Sequence, residues 1–246
     1  MDLMRKYYEI ITKLMEDIIR DEGEKIDKAS EIIAESLVND GIIHVFGAGH
    51  SAMSGEELFY RAGGLVPVYP LLGSDINLSG GAFRSTMMES VEGYGEILVK
   101  DHGVSENDVV IIVSTSGVNQ FPVEVAIYSR QVGAKTIGIT SIQYSKSLEP
   151  KNSFKKHLFE VVDIAIDNHV PRGDAVLEIE GVEVKVSPVS TILNSFIVNS
   201  IVASVVKKMA SRNIKPPIWI SAHLPGAMEW NRNLALKYRS RIPYLR

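Results

Sequence analysis

The chain has 246 residues, 45% of them hydrophobic and 23% charged, with no cysteine and a formal net charge of −4. This is the composition of an ordinary globular protein, and it excludes disulfides, thiolate metal sites, thiol nucleophiles and a charge-driven nucleic-acid footprint. Residues 237–246 carry four basic side chains and no acidic one, a pattern expected of a solvated end. No apolar run reaches the roughly 18 residues of a membrane span, and the charged amphipathic start is unlike a signal peptide. A cytoplasmic protein with no membrane or nucleic-acid partner is therefore expected.

Leu3, Tyr7, Ile10, Leu14 and Ile18 recur at helical spacing, and Ile26, Ala29, Ile33 and Leu37 do so again before Asn39-Asp40-Gly41. The two runs predict a helical hairpin forming an N-terminal extension over 1–40. Five short apolar runs follow, at 42–46, 66–69, 108–114, 135–141 and 161–167. Helical patterns lie between them at 52–62, at 84–101 in one or two pieces, and at 122–132, where Pro122 suits a first turn. This alternation predicts an α/β fold with a five-stranded parallel sheet between helical layers, flavodoxin-like or Rossmann-like, over a single unit 41–246. Residues 176–186 alternate about a glycine as a β-hairpin does. Ser187-Pro188 reads as the cap of a helix to about 211, apolar enough to be a core or interface element.

In a parallel sheet, ligands bind beyond the carboxyl ends of the strands. Those positions are rich in glycine and hydroxyls: Gly47-Ala48-Gly49-His50-Ser51 after the first strand, Ser114-Thr115-Ser116-Gly117-Val118-Asn119 after the third, and Thr140-Ser141 after the fourth. Small residues admit a ligand close to the backbone, while hydroxyls and helix N-terminal N–H groups donate to phosphate oxygens. Residues 47–52 also fit a dinucleotide fingerprint, but the required acidic residue about 20 positions on is missing. The phosphate-loop signature GxxxxGK[ST] is absent as well. The histidine and carboxylate spacings offer no metal site, and no cofactor is expected.

The order of these motifs resembles the sugar isomerase (SIS) domain family over roughly residues 25–225. The likeness includes a branch with the run FGAGHS, FYRAGG, SxSG and GDA, here Phe46–Ser51, Phe59–Gly64, Ser114–Gly117 and Gly173–Ala175. The resemblance implies a phosphosugar site in which Gly49, Ser51, Ser114, Thr115, Ser116 and Asn119 bind phosphate, with Thr140, Ser141 and Asn168 beside them. It also implies that His223 occupies the place of a catalytic histidine. Three other catalytic positions of the isomerase branches differ here: His50 stands for Lys, Val118 for Glu and Asn168 for Glu. In the phosphoheptose isomerase and etherase branches a Glu falls near Arg61.

Other titratable groups remain as candidates. His50 lies within the first loop, where imidazole can meet phosphate or open a sugar ring. Glu57 and its neighbour Glu56 follow on the next helix, and Glu89 and Glu92 flank a glycine-rich turn. Glu124 reads as a dipole-favourable carboxylate, and His44, His102 and His157 as structural. Asp167, Asn168 and His169 close the fifth strand at the same edge. The expected catalytic set is therefore His50, His223, Glu57 and Glu89. The expected activity is aldose–ketose sugar-phosphate isomerisation or a related enediol-type lyase, etherase or deaminase reaction. The alternative is a non-catalytic phosphosugar sensor. The apolar surface of the opening helices and of 187–211 further predicts a homodimer or dimer of dimers, with His223 acting across the boundary.

Overall fold

The computed structural model describes residues 2–246. A single helix, α1 (Leu3–Val38), opens the chain, so the expected helical hairpin is corrected to one continuous rod. Nothing between its two apolar runs stops a helix. Gly23 has open space where a side chain would stand, and ion pairs Arg20–Asp17 and Lys25–Glu22 at i,i+3 bracket it, offsetting a small part of what a helical glycine costs.

The sheet comprises β1 (Ile43–Gly47), β2 (Val68–Pro70), β3 (Val109–Val113), β4 (Lys135–Thr140) and β5 (Ile164–Asp167). All pairs are parallel, in the order β2-β1-β3-β4-β5. This is the flavodoxin-like order, whose switch point falls between β1 and β3. Connecting helices are α2 (Met53–Leu58), α3 (Ala82–Met88), α4 (Tyr94–Asp101), α5 (Gln120–Gln131), α6 (Ile142–Lys146) and α7 (Leu158–Val161). A hairpin of β6 (Ala175–Leu177) and β7 (Val186–Pro188) leads into α8 (Ser190–Ser211), and α9 (Ala227–Tyr238) follows.

The strand pleat separates two cores. Ile43, Val45, Val109, Ile111, Val113, Ile137 and Ile139 point to one face, where they meet Ile18, Ile26, Ile33, Ile197, Ile201 and Val205 of α1 and α8. Phe46, Val110 and Ile112 point to the other, beneath Val99 of α4, Phe121 and Val125 of α5 and Leu158 of α7. The alternation of period two is thus matched by helices on both sides, which is why the central strands β1 and β3 are buried on both faces and read as near-continuous apolar runs. α8 is long and apolar enough by composition to cross a bilayer, yet its Leu193, Ile197, Ile201 and Val205 are spent on the sheet. The hairpin forms with a shorter ladder than its sequence alternation covers. Val182 and Val184 are exposed because no further layer lies beneath them.

Candidate functional site

Beyond β1 the chain turns sharply. A side chain at Gly47 would stand 2.5 Å from the Ser51 carbonyl oxygen, and Gly49 holds φ +56°, so glycine is needed at both positions. The turn delivers Gly49, His50 and Ser51 to the mouth of a cavity of about 400 Å³.

Beyond β3, Ser114, Thr115, Ser116 and Asn119 form the facing wall. Gly117 at φ +60° closes that loop, and a Cβ there would lie 2.7 Å from Thr140 Oγ1. Ser114 Oγ accepts from Gly117 N at 3.2 Å. The loop is held from behind: Thr140 Oγ1 donates to the Thr115 carbonyl at 3.2 Å and Ser141 N to the same oxygen at 2.9 Å.

Glu89 reaches the cavity from the end of α3. Asn119 Nδ2 donates to its Oε2 at 2.6 Å, and Phe121 N donates to its main-chain carbonyl at 3.0 Å. Burial pushes the carboxyl of Glu89 above its ordinary range, and the Asn119 hydrogen bond offsets part of that shift. A carboxyl raised in this way holds a proton more firmly than an exposed one, which suits it to proton transfer.

The structure brings together His50, Glu89, Gly49, Ser51, Ser114, Thr115, Ser116 and Asn119 among the expected residues. It does not bring the others. Thr140 and Ser141 are buried. Ser141 Oγ donates to the Val170 carbonyl at 2.7 Å and caps α6 by accepting from Tyr144 N, so the pair shapes the loop and has no hydroxyl left for a ligand. Asn168 is fully buried, with Nδ2 on Asn194 Oδ1 at 2.9 Å and Oδ1 accepting from Val170 N. Glu57 faces α8, where it accepts from Asn199 Nδ2 at 2.8 Å, and it pairs with Arg61. His223 is exposed in a separate recess beside Tyr60 and Trp219, so one chain alone does not place it at the cavity.

Four further polar lining residues have no part in the sequence reading, Ser85, Thr86, Tyr144 and Ser190, and Asp174 enters it only within the run Gly173–Ala175. Ser187-Pro188 is not the cap of α8. Asp174 takes that role, its Oδ1 accepting from Val189 N at 3.0 Å and Ser190 N at 2.8 Å, and its Oδ2 from Ser190 Oγ at 2.6 Å. The run Gly173-Asp174-Ala175 was the available signal, but the distance along the chain hid its partner. Glu124 serves the start of α4 instead of its own helix, accepting from Gly93 N at 2.7 Å and Gly95 N at 2.9 Å. Among the described residues no three His, Asp or Glu side chains converge as a metal site.

The SIS domain family model matches residues 6–141, more than half of the chain. A UPF0309 protein of Halalkalibacterium halodurans is 42% identical over 243 residues, which are 99% of this chain and 97% of that protein. A phosphoheptose isomerase from Francisella tularensis shares the fold with a TM-score of 0.58 at 15% identity, covering 84% of this chain and 97% of that one. The Vibrio vulnificus NanR protein, solved in complex with ManNAc-6P, does so with a TM-score of 0.53 at 11% identity, over 86% of this chain and 65% of its own. With the family model matching more than half of the chain and the parallel sheet and its switch-point loops in place, this chain belongs to the SIS domain family.

Proposed function

We propose that the cavity binds a sugar phosphate and that the protein interconverts aldose and ketose forms of it. Ser114, Thr115 and Ser116, with Ser51 opposite and the N-terminus of α5 beneath, offer the phosphate hydroxyl and N–H donors. Glu89 faces the sugar. After ring opening, its carboxylate removes the proton from the carbon beside the carbonyl and returns it to the neighbouring carbon, while a proton passes between the two sugar oxygens. His50 at the cavity mouth is the group for ring opening. The observation that carries this reading is the half-buried Glu89, its proton affinity raised, in a cavity whose facing loops are rich in serine and threonine hydroxyls.

The recess holding His223 lies outside this cavity, so its participation requires a second copy of the chain, and a homodimer or dimer of dimers is part of the proposal. Val118 and Asn168, where the isomerase branch has Glu, are buried in the core. That observation favours a second reading, a phosphosugar sensor without catalysis.

A thermal-shift screen over sugar phosphates tests binding, since a ligand of the native state raises apparent stability. Proton exchange in D2O with the ligand so found tests catalysis. Binding with solvent deuterium entering the sugar, lost in Glu89→Gln, is the result expected. Binding without exchange establishes the sensor, and no binding by any sugar phosphate overturns both readings.

A further inference from the structure

Two helix N-termini meet the wall of the cavity. One is that of α5, preceded by Ser114–Asn119, and the other is that of α8, represented in the wall by Ser190. They differ in what already occupies them. Near the start of α5, the Phe121 N–H meets the neutral main-chain carbonyl of Glu89, and Glu124 turns away to α4. At the start of α8 an anion is built in: the Asp174 carboxylate accepts from Val189 N, Ser190 N and Ser190 Oγ.

The backbone is bent to put it there. Asp174 holds φ +67° directly after Gly173 at φ +88°, a left-handed conformation that aspartate adopts more readily than most residues. The helix terminus carries about half an elementary charge, so it leaves part of the carboxylate's charge uncompensated. Three of about four acceptor positions are filled. The remainder is available on the cavity wall, on which Glu89 is a second acid.

We propose that Asp174 makes this site selective for sugar monophosphates over bisphosphates. Its carboxylate fills the anion seat that a second phosphate would need and repels one brought near. Its remaining acceptor position suits a hydroxyl at the unphosphorylated end of the sugar. The inference rests on the phosphosugar reading above and specifies its substrate class.

The test uses the full chain and calorimetric titration at one fixed ionic strength. Hexose 6-phosphates and pentose 5-phosphates are compared with the matching 1,6- and 1,5-bisphosphates. In the wild type, a monophosphate should bind about tenfold or more tightly than its bisphosphate, and Asp174→Asn should narrow that ratio by about tenfold. Asparagine tolerates the left-handed backbone and keeps an acceptor for Ser190 N. Circular dichroism and melting show whether the variant folds, and if it does not, Asp174→Gly, which suits the left-handed backbone and removes the charge, is measured in its place on the same ratio. Equal binding of both classes by the wild type overturns the inference, as does a folded Asp174→Asn that keeps the wild-type ratio. If neither class binds, the phosphosugar reading fails and the inference falls with it.

Discussion

The Asn119 side-chain amide donates to Glu89 Oε2 at 2.6 Å, tying the only carboxylate contributed by the α3–α4 segment to the cavity directly to the hydroxyl loop after β3. The bond stabilises the charged carboxylate and thus opposes the effect of burial. Replacing Asn119 with Ala should therefore raise the titration midpoint of Glu89 further, as read by carbon NMR of its carboxyl group. An unmoved midpoint in a folded variant would show that the amide does not control the acid. The same shift has a stability consequence. Because Glu89 holds its proton more tightly when folded, stability falls as pH rises through the ordinary value of 4.5 toward the folded one. Glu89→Gln lacks that loss, so it should be more stable than wild type at pH 8 and indistinguishable from it well below pH 4.5. A wild type more stable than Glu89→Gln at pH 8, with the gap closing in acid, would reverse the assigned sign.

Ser116 and Ser141 separate the ligand-facing hydroxyls from the structural ones. Ser116 lines the cavity, and Ser116→Ala should cost roughly 1.5 to 3 kcal/mol of sugar-phosphate affinity, the value of a hydrogen bond to a charged group, with little effect on melting. Ser141 is buried, donates to the Val170 carbonyl and caps α6. Ser141→Ala should cost about 1 to 2 kcal/mol of stability and leave ligand affinity, measured on the folded protein, unchanged. Titration calorimetry and denaturant unfolding on both variants distinguish the roles, and equal affinity losses would contradict the division.

What could be learned from the sequence follows how each feature is encoded. The loops Gly47–Ser51 and Ser114–Asn119 are contiguous, follow apolar runs and need glycine at defined turns, so residue type and position along the chain suffice to find them. Thr140 and Ser141 have the same local chemistry, but their hydroxyls are consumed by Thr115 and Val170, contacts set by how neighbouring loops pack. Glu57 and Glu89 look alike as helix carboxylates. Packing turns the first toward Asn199 and the second toward Asn119. Asp174 and Ser190 are 16 residues apart and meet only because the β6–β7 hairpin returns the chain to α8. The continuity of α1 was missed because a gap in apolar spacing near Gly23 resembles a turn, although no proline or cap interrupts the helix.

At the far end of the sheet, Arg241 anchors the C-terminal segment. Its Nη1 and Nη2 donate to Asp108 Oδ1 at 3.0 Å and Oδ2 at 2.8 Å. Burial alone would raise the Asp108 carboxyl, but hydrogen bonds from His44, Arg241, Ile42 N and Ser105 outweigh it and hold the carboxyl well below the usual range. Removing one partner of a buried pair leaves the other charge uncompensated, at about 3 to 5 kcal/mol. The Arg241 side chain is 34% exposed, so Arg241→Ala should cost somewhat less, about 2 to 3 kcal/mol by denaturant unfolding. A loss below about 0.5 kcal/mol, the range of ordinary surface substitutions, would show that the remaining donors satisfy Asp108 unaided.

His102 gives the protein a defined weakness to acid. The residue is buried, its ring stacked on Tyr69 at 4.1 Å and tilted against Phe46 at 4.9 Å, and its Nδ1 has no hydrogen-bond partner. Burial, with a smaller contribution from neighbouring His44, lowers its pKa to about 3 from the ordinary 6.5. Between those values the folded chain keeps the ring neutral while the unfolded chain protonates it, so stability is lost as pH falls below 6.5. The loss is about 1.4 kcal/mol per pH unit for one such group. His44, likewise lowered by burial although its hydrogen bond to Asp108 offsets part of the shift, acts in the same direction. The paired Asp108 begins to lose its contribution only near its ordinary 3.8, so between 4.5 and 6.5 the loss on acidification comes from the histidines, with the raised carboxyl of Glu89 working against it. His102→Phe preserves an aromatic surface for Tyr69 and Phe46 and removes the titrating nitrogen. It should match wild type at pH 8 and exceed it by a growing margin as the pH is lowered through 6 and 5, with unfolding free energies measured in urea at each pH. Parallel curves for the two proteins would mean that His102 takes up a proton without unfolding, and the assignment of the acid weakness to this ring would be wrong.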